Sequence, residues 1–127
     1  MMYKILLIED DMTMISLLRT LLQFEGYTVV NLKNDATLDT AIGTIQLEKP
    51  DLILCDVHLR EVNGFDLLRA VQQDPSIANT RIIMSSGMDF SQRCQAAGAQ
   101  EFILKPYLPD DLMKKVRKVL EQQKTTP

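Results

Sequence analysis

The 127-residue chain carries 14 Lys and Arg against 17 Asp and Glu, with 46% hydrophobic and 24% charged residues. That length suits one compact domain with a real core, and a net charge of -3 supplies no basic field for nucleic acid or an anionic membrane. No apolar run is long enough to span a bilayer and no segment reads as a secretion signal. Two cysteines, Cys55 and Cys94, are too few for a disulfide framework and read as small buried hydrophobes, so the cytoplasm is the expected compartment.

In chain order, Ile5-Leu6-Leu7-Ile8 is a continuous apolar run, as expected of a strand buried on both faces. Met14, Ile15, Leu18, Leu21 and Leu22 then recur at helical spacing, with Gly26 as the stop. Tyr27–Val30 reads as a second strand. Leu38, Ala41, Ile42 and Ile45 form a second helical stripe, with Asn34 and Asp35 as candidate caps and Pro50 closing it. Asp51–Cys55 is the third strand and delivers Asp56 at its carboxyl end. Phe65, Leu68 and Val71 mark a third helix ended by Asp74-Pro75.

Arg81–Met84 is a fourth strand leading into Ser85-Ser86-Gly87, and a short helix is expected over Ser91–Ala97 with Gly98 as its stop. Glu101–Leu104 is a fifth strand running into Lys105-Pro106. In the last helix Leu112, Val116, Val119 and Leu120 share a face. Pro109 and two acids open that helix and four basic residues come later, an order that suits the helix dipole. Five apolar strands, each followed by a helix, predict a three-layer α/β domain with a doubly wound, five-stranded parallel sheet.

Ligands in such a sheet bind beyond the carboxyl ends of the strands, where strand order reverses. The residues placed there are Glu9, Asp10 and Asp11, then Asp56, then Ser86, then Lys105. Each has a plain reading alone: Asp11 as a helix cap, Ser86 as a local hydrogen-bonding residue, Lys105 as a solvated charge. Together they make a pocket of converging carboxylates, which a hard divalent cation relieves, with a hydroxyl and an ammonium to meet a phosphoryl group.

Four segments carry a resemblance to the receiver domain of bacterial two-component response regulators. They are Ile5–Asp11, Asp51–Asp56 with Gly64 further on, Ile82–Gly87 and Ala99–Pro106. The resemblance runs from about Lys4 to Leu120 and implies a flavodoxin-like sheet of strand order 2-1-3-4-5, with residues 1–122 as the receiver and 123–127 as a loose tail or the start of a linker. It makes Asp56 the phosphoacceptor, Asp10 the direct magnesium (or manganese) ligand with Glu9 beside it, and the His58 backbone carbonyl a further ligand. Ser86 becomes the switch hydroxyl, Lys105 the lysine that pairs with the phosphoryl group, and Phe102 the aromatic that changes rotamer, unless Phe102 is simply a core residue.

The partners so implied are a sensor histidine kinase or histidine phosphotransfer protein, a downstream protein or attached output domain, and a phosphorylation-dependent second copy. No nucleic acid or membrane is implied for this domain, nor any enzyme activity apart from self-catalysed transfer to Asp56 and autodephosphorylation. Three departures stand out. Arg60 replaces a proline common four residues after the phosphoacceptor. His58 and Met88 occupy the variable positions near attacking water. Lys105 follows Ser86 by only 19 positions, about one helical turn fewer than usual, which places a shortening between Met88 and Ala97.

Other classes fit less well. A haloacid-dehalogenase-type phosphohydrolase needs a second Asp where His58 stands, and a flavodoxin-type phosphate loop is replaced by Glu9-Asp10-Asp11, whose charge repels a cofactor phosphate. A receiver-like interaction module that works without phosphorylation is the remaining alternative.

Overall fold

A computed structural model describes residues 2–33 and 35–122. The chain alternates β1 (Lys4–Ile8), α1 (Met12–Phe24), β2 (Thr28–Asn31), α2 (Leu38–Glu48), β3 (Leu52–Asp56), α3 (Gly64–Gln73), β4 (Arg81–Ser86), α4 (Ser91–Ala96), β5 (Glu101–Leu104) and α5 (Pro109–Gln122). All strands are parallel, in the order β2-β1-β3-β4-β5. The expected topology holds, because each crossover must pack a helix on one face of a sheet that is apolar on both.

Alternation along each strand divides the core. Leu6, Ile8, Ile53, Cys55, Ile82 and Met84 face α2, α3 and α4, whereas Ile5, Leu7, Leu52, Leu54, Ile83 and Ile103 face α1 and α5. The two layers are therefore three helices against two. Cys55 and Cys94 are both free and buried, and burial pushes each thiol pKa above its ordinary value.

Several local expectations need correction. Thr37, not Asp35, caps α2, its hydroxyl accepting from the Thr40 N–H at 3.3 Å; Asn34 lies outside the described residues. The helix ends on Lys49 in a left-handed conformation (φ 48°), and Pro50 follows. The strand expected at Tyr27 begins one residue later, since the Tyr27 N–H bonds back to Leu22 O as α1 terminates at Gly26 (φ 95°). No basic residue falls in the last turn of α5, so the dipole argument holds only at its acidic start. Lys115 and Lys118 instead reach across to Glu101 on β5 at 3.0 and 2.9 Å. The segment 123–127 lies outside the described residues.

β3 and β4 each run further than the apolar pattern. The ladder pairs Asp56 with Ser85, and Ser86 with Leu104, so these polar residues are still held by sheet hydrogen bonding. Gly64, where α3 begins, is packed so closely on that strand end that a Cβ would sit 2.7 Å from Asp56 O and 2.8 Å from Val57 Cα. The strand that carries Asp56 is thus clamped from behind by a residue without a side chain.

Candidate functional site

The carboxyl end of β3 and the residues that directly follow β1 and β5 bring Glu9, Asp10, Asp56 and Lys105 together. Lys105 directly follows β5, and its backbone N–H bonds to Ser86 O at 2.8 Å, extending the ladder. Its ammonium donates to Glu9 Oε1 at 2.8 Å and to Asp56 Oδ2 at 3.0 Å. Burial alone would lower the Lys105 pKa, but the hydrogen bonds and charges of Glu9 and Asp56 outweigh it and leave it raised. One cation is thus shared by two largely enclosed carboxylates.

Glu9 is 8% exposed and uses both oxygens. Oε1 accepts from Lys105, and Oε2 accepts from the N–H groups of Asp10 and Asp11 at 3.1 Å each. Asp10 Oδ2 instead accepts from the Arg60 N–H at 2.6 Å, tying β1's acidic end to the loop after β3. That bond uses Arg60's backbone. Asp56 Oδ1 accepts from the His58 N–H at 3.2 Å, and an antiparallel bridge between His58 and Asn63 tightens the same loop. Asp11 is the N-cap of α1, accepting from Thr13 and Met14 N–H groups, as its plain reading requires.

The remaining candidates sit around this cluster. Ser86 is 1% exposed, and its hydroxyl accepts from the Met88 N–H at 3.1 Å. Met88 is exposed, whereas Phe102 is half-buried against the α2–α3–α4 side of the core. The His58 ring is exposed and lies against Phe90, centroids 5.7 Å apart. Among the described residues, no group of three or more His, Cys, Asp and Glu side chains is arranged to hold a metal ion.

Two neighbours escaped the sequence reading. Tyr107, two residues after Lys105, joins Glu9 and Asp56 around a small, largely apolar hollow. Its pKa is raised, mainly by burial and further by Glu9 and Asp56, while Lys105 opposes them. Phe90 lies just before α4. Nothing in the pattern distinguishes either aromatic from an ordinary loop residue. Their proximity to the site depends on how β4 and β5 deliver their loops.

An open parallel sheet with three acids and one lysine gathered at its carboxyl edge defines a receiver-type α/β domain. Comparison with known proteins agrees: the response regulator receiver domain family matches residues 5–117, and the chain belongs to that family, the signalling switches of two-component systems. It is 32% identical over 127 residues to the phosphate regulon transcriptional regulatory protein PhoB of Rhizobium meliloti, covering 98% of this chain and 55% of that protein. It is also 32% identical over 124 residues to the sensory transduction protein BceR of Halalkalibacterium halodurans, covering 95% and 51%. The chain spans about half the length of these curated relatives. Among solved structures, the chemotaxis response regulator CheY4 of Vibrio cholerae superposes with a TM-score of 0.82 at 27% identity, covering 94% of this chain and 99% of that one.

Proposed function

We propose that Asp56 accepts a phosphoryl group from a phosphohistidine on a sensor kinase or histidine phosphotransfer protein, and that this shifts the domain between inactive and active arrangements. The observation that carries this reading is the Lys105 ammonium held between Asp56 Oδ2 and Glu9 Oε1. It places a fixed positive charge beside the carboxylate on which phosphoryl charge would accumulate, and such transfers need positioning and charge stabilisation above all. An Asp56 oxygen forms the new bond to phosphorus as the bond to the donor imidazole nitrogen breaks. Lys105 then redirects one hydrogen bond to a phosphoryl oxygen while Glu9 keeps it anchored.

The donor chemistry suits magnesium, with manganese as a substitute. Carboxylate oxygens of Asp10 and Asp56 and the backbone carbonyl of His58 are hard ligands, and leaving the other positions to water and phosphoryl oxygens is how magnesium is usually held. When bound, the ion neutralises phosphoryl charge and relieves repulsion between Asp10 and Asp56. Glu9, with both oxygens engaged, would hold Lys105 and the Asp10 backbone in place and add its negative charge to the magnesium site.

Ser86 is the hydroxyl that would leave the Met88 N–H to meet the phosphoryl group, and Phe102 the ring whose packing would follow. The output passes to a separate protein, an attached domain or a second copy. No helix among the described residues is long and apolar enough to cross a membrane, and the similarity to bacterial response regulators supports a bacterial, cytoplasmic setting. Incubation with magnesium and acetyl phosphate should give a base-labile, acid-stable phosphate adduct by intact mass, absent in Asp56→Asn. Steady turnover of unrelated phosphomonoesters would favour a hydrolase instead.

A further inference from the structure

The two loops that flank Asp56 on the β3 and β4 sides are joined by ring contacts that the transfer chemistry does not use. His58 follows Asp56 by two residues, and its N–H is bonded to the Asp56 carboxylate. Its imidazole lies 5.7 Å, centroid to centroid, from the Phe90 ring, tilted by 59°. Phe90 in turn meets Phe65 edge-on at 5.8 Å and 89°, within the favoured range for aromatic pairs. The Arg93 guanidinium lies 3.9 Å over the centre of the Phe65 ring, a cation–π contact.

Phe90 is therefore held from both sides. Its own carbonyl accepts the Cys94 N–H at 2.8 Å, fixing it to α4, and Phe65 belongs to α3 and is buried. His58, by contrast, is exposed and borders Phe90 as the outermost ring of the series. An exposed imidazole on a loop would ordinarily sample several rotamers. Here an anchored aromatic ring restrains it, on a residue whose backbone N–H is bonded to the Asp56 carboxylate. Asp56 and Ser85 are ladder partners, so the loops carrying His58 and Phe90 leave adjacent strands, and the two loops meet where these rings touch.

We propose that Phe90 is a positioning residue that holds the His58 ring as a wall on the β3–β4 side of phosphorylated Asp56, slowing its hydrolysis. The proposal rests on Asp56 being the phosphoacceptor. Hydrolysis consumes one water: its oxygen bonds to phosphorus, the bond from phosphorus to the Asp56 oxygen breaks with its electron pair returning to the carboxylate, and inorganic phosphate leaves with release of a proton. The wall limits how often water reaches the phosphorus. It takes no part in the bond changes.

The test uses the whole chain, phosphorylated with acetyl phosphate and magnesium and then desalted, with adduct lifetime followed by intact mass. Phe90→Leu keeps apolar bulk without a ring, and Phe90→Tyr keeps the ring. Phe90→Leu should shorten the lifetime by about two- to tenfold, the worth of an aromatic edge contact expressed as a rate, and Phe90→Tyr should stay near wild type. His58→Ala should shorten it similarly, and the double variant His58→Ala/Phe90→Leu no further, because one wall is removed only once. The His58 ring signals in NMR spectra should move in Phe90→Leu without any phosphorylation, and thermal unfolding confirms that each variant is folded.

Additive effects of the two substitutions, an unchanged or lengthened lifetime in Phe90→Leu, or unmoved His58 signals would overturn the proposal alone. No adduct on the wild-type chain would sink the phosphoacceptor reading and this proposal with it.

Discussion

The two edges of the sheet both gather charge, and they do so in opposite ways. At the amino edge Asp51 accepts the Lys4 N–H at 2.8 Å, Arg81 donates to the Asp51 carbonyl at 3.0 and 3.3 Å, and the Lys4 ammonium bonds Glu48. Its cations are spent largely on neighbouring backbone, and its acids and bases are roughly balanced. At the carboxyl edge one ammonium serves Glu9 and Asp56, with Asp10 close by and held, among the described residues, by a backbone N–H. The first arrangement closes strands and helix ends. The second leaves anionic capacity uncompensated at the place where a parallel sheet binds ligands. Polarity alone does not distinguish a functional edge from a structural one; the balance of charge does.

The largest effect that would disturb this contrast is expected at Gly64. Gly64→Ala puts a methyl group against Asp56 O, Val57 Cα and the Met84 methyl at 2.7 to 2.9 Å. It should cost about 3 kcal/mol of stability in chemical denaturation, as overpacking against backbone does, and slow adduct formation as the Asp56 strand end shifts.

Arg81→Met acts at the other edge and should separate stability from chemistry. Losing its two bonds to the Asp51 carbonyl should cost about 1–2 kcal/mol in the same assay while leaving adduct formation at wild-type rate. A slowed adduct in that variant would mean the edges are not independent.

Lys105→Met tests the charge balance itself. Removing the shared ammonium should raise affinity for magnesium roughly tenfold by calorimetry, even as phosphorylation slows. The pH dependence follows from the raised pKa of Lys105. Folded protein holds that proton more tightly than unfolded protein. The stability it contributes is therefore whole below the ordinary lysine value of about 10.4 and is lost as pH climbs through the folded value. The gap in denaturation midpoint between wild type and Lys105→Met should stay constant from neutral pH to that point and change above it.

The smallest effect is expected at Lys118→Ala. Its bond to Glu101 lies at a mostly exposed position and Lys115 still holds the carboxylate, so the loss should stay below about 1 kcal/mol.

Much of this molecule was legible in its sequence, and for identifiable reasons. Strands such as Ile5–Ile8 and Leu52–Cys55 are apolar throughout because both faces are covered, and few arrangements other than a doubly covered parallel sheet produce short runs of that kind. Once five of them alternate with helices, the rule about carboxyl ends brings Glu9, Asp56 and Lys105 together without any distance being known. What escaped was set by tertiary contact. Thr37 rather than Asp35 caps α2 because the chain turns there, and no local pattern separates two polar residues two positions apart. Lys115 and Lys118 match a helix-dipole pattern but are used on Glu101, a residue on another element. Tyr107 and Phe90 reach the site by loop paths that periodicity does not encode. The helix α4 spans Ser91–Ala96, inside the region where the spacing of Ser86 and Lys105 predicts a shortening, and what it presents to a partner is a matter of surface rather than pattern.

The central claim is most directly tested by locating the phosphoryl group in the chain. Reduction of the phosphorylated protein with borohydride converts an acyl phosphate to the alcohol, so an aspartyl phosphate becomes homoserine, and tandem mass spectrometry of the peptides then reads its position. Homoserine is expected at position 56 and nowhere else, dependent on magnesium. Homoserine at position 10 or 11, or unaltered Asp56 in protein that carries the adduct, would contradict it.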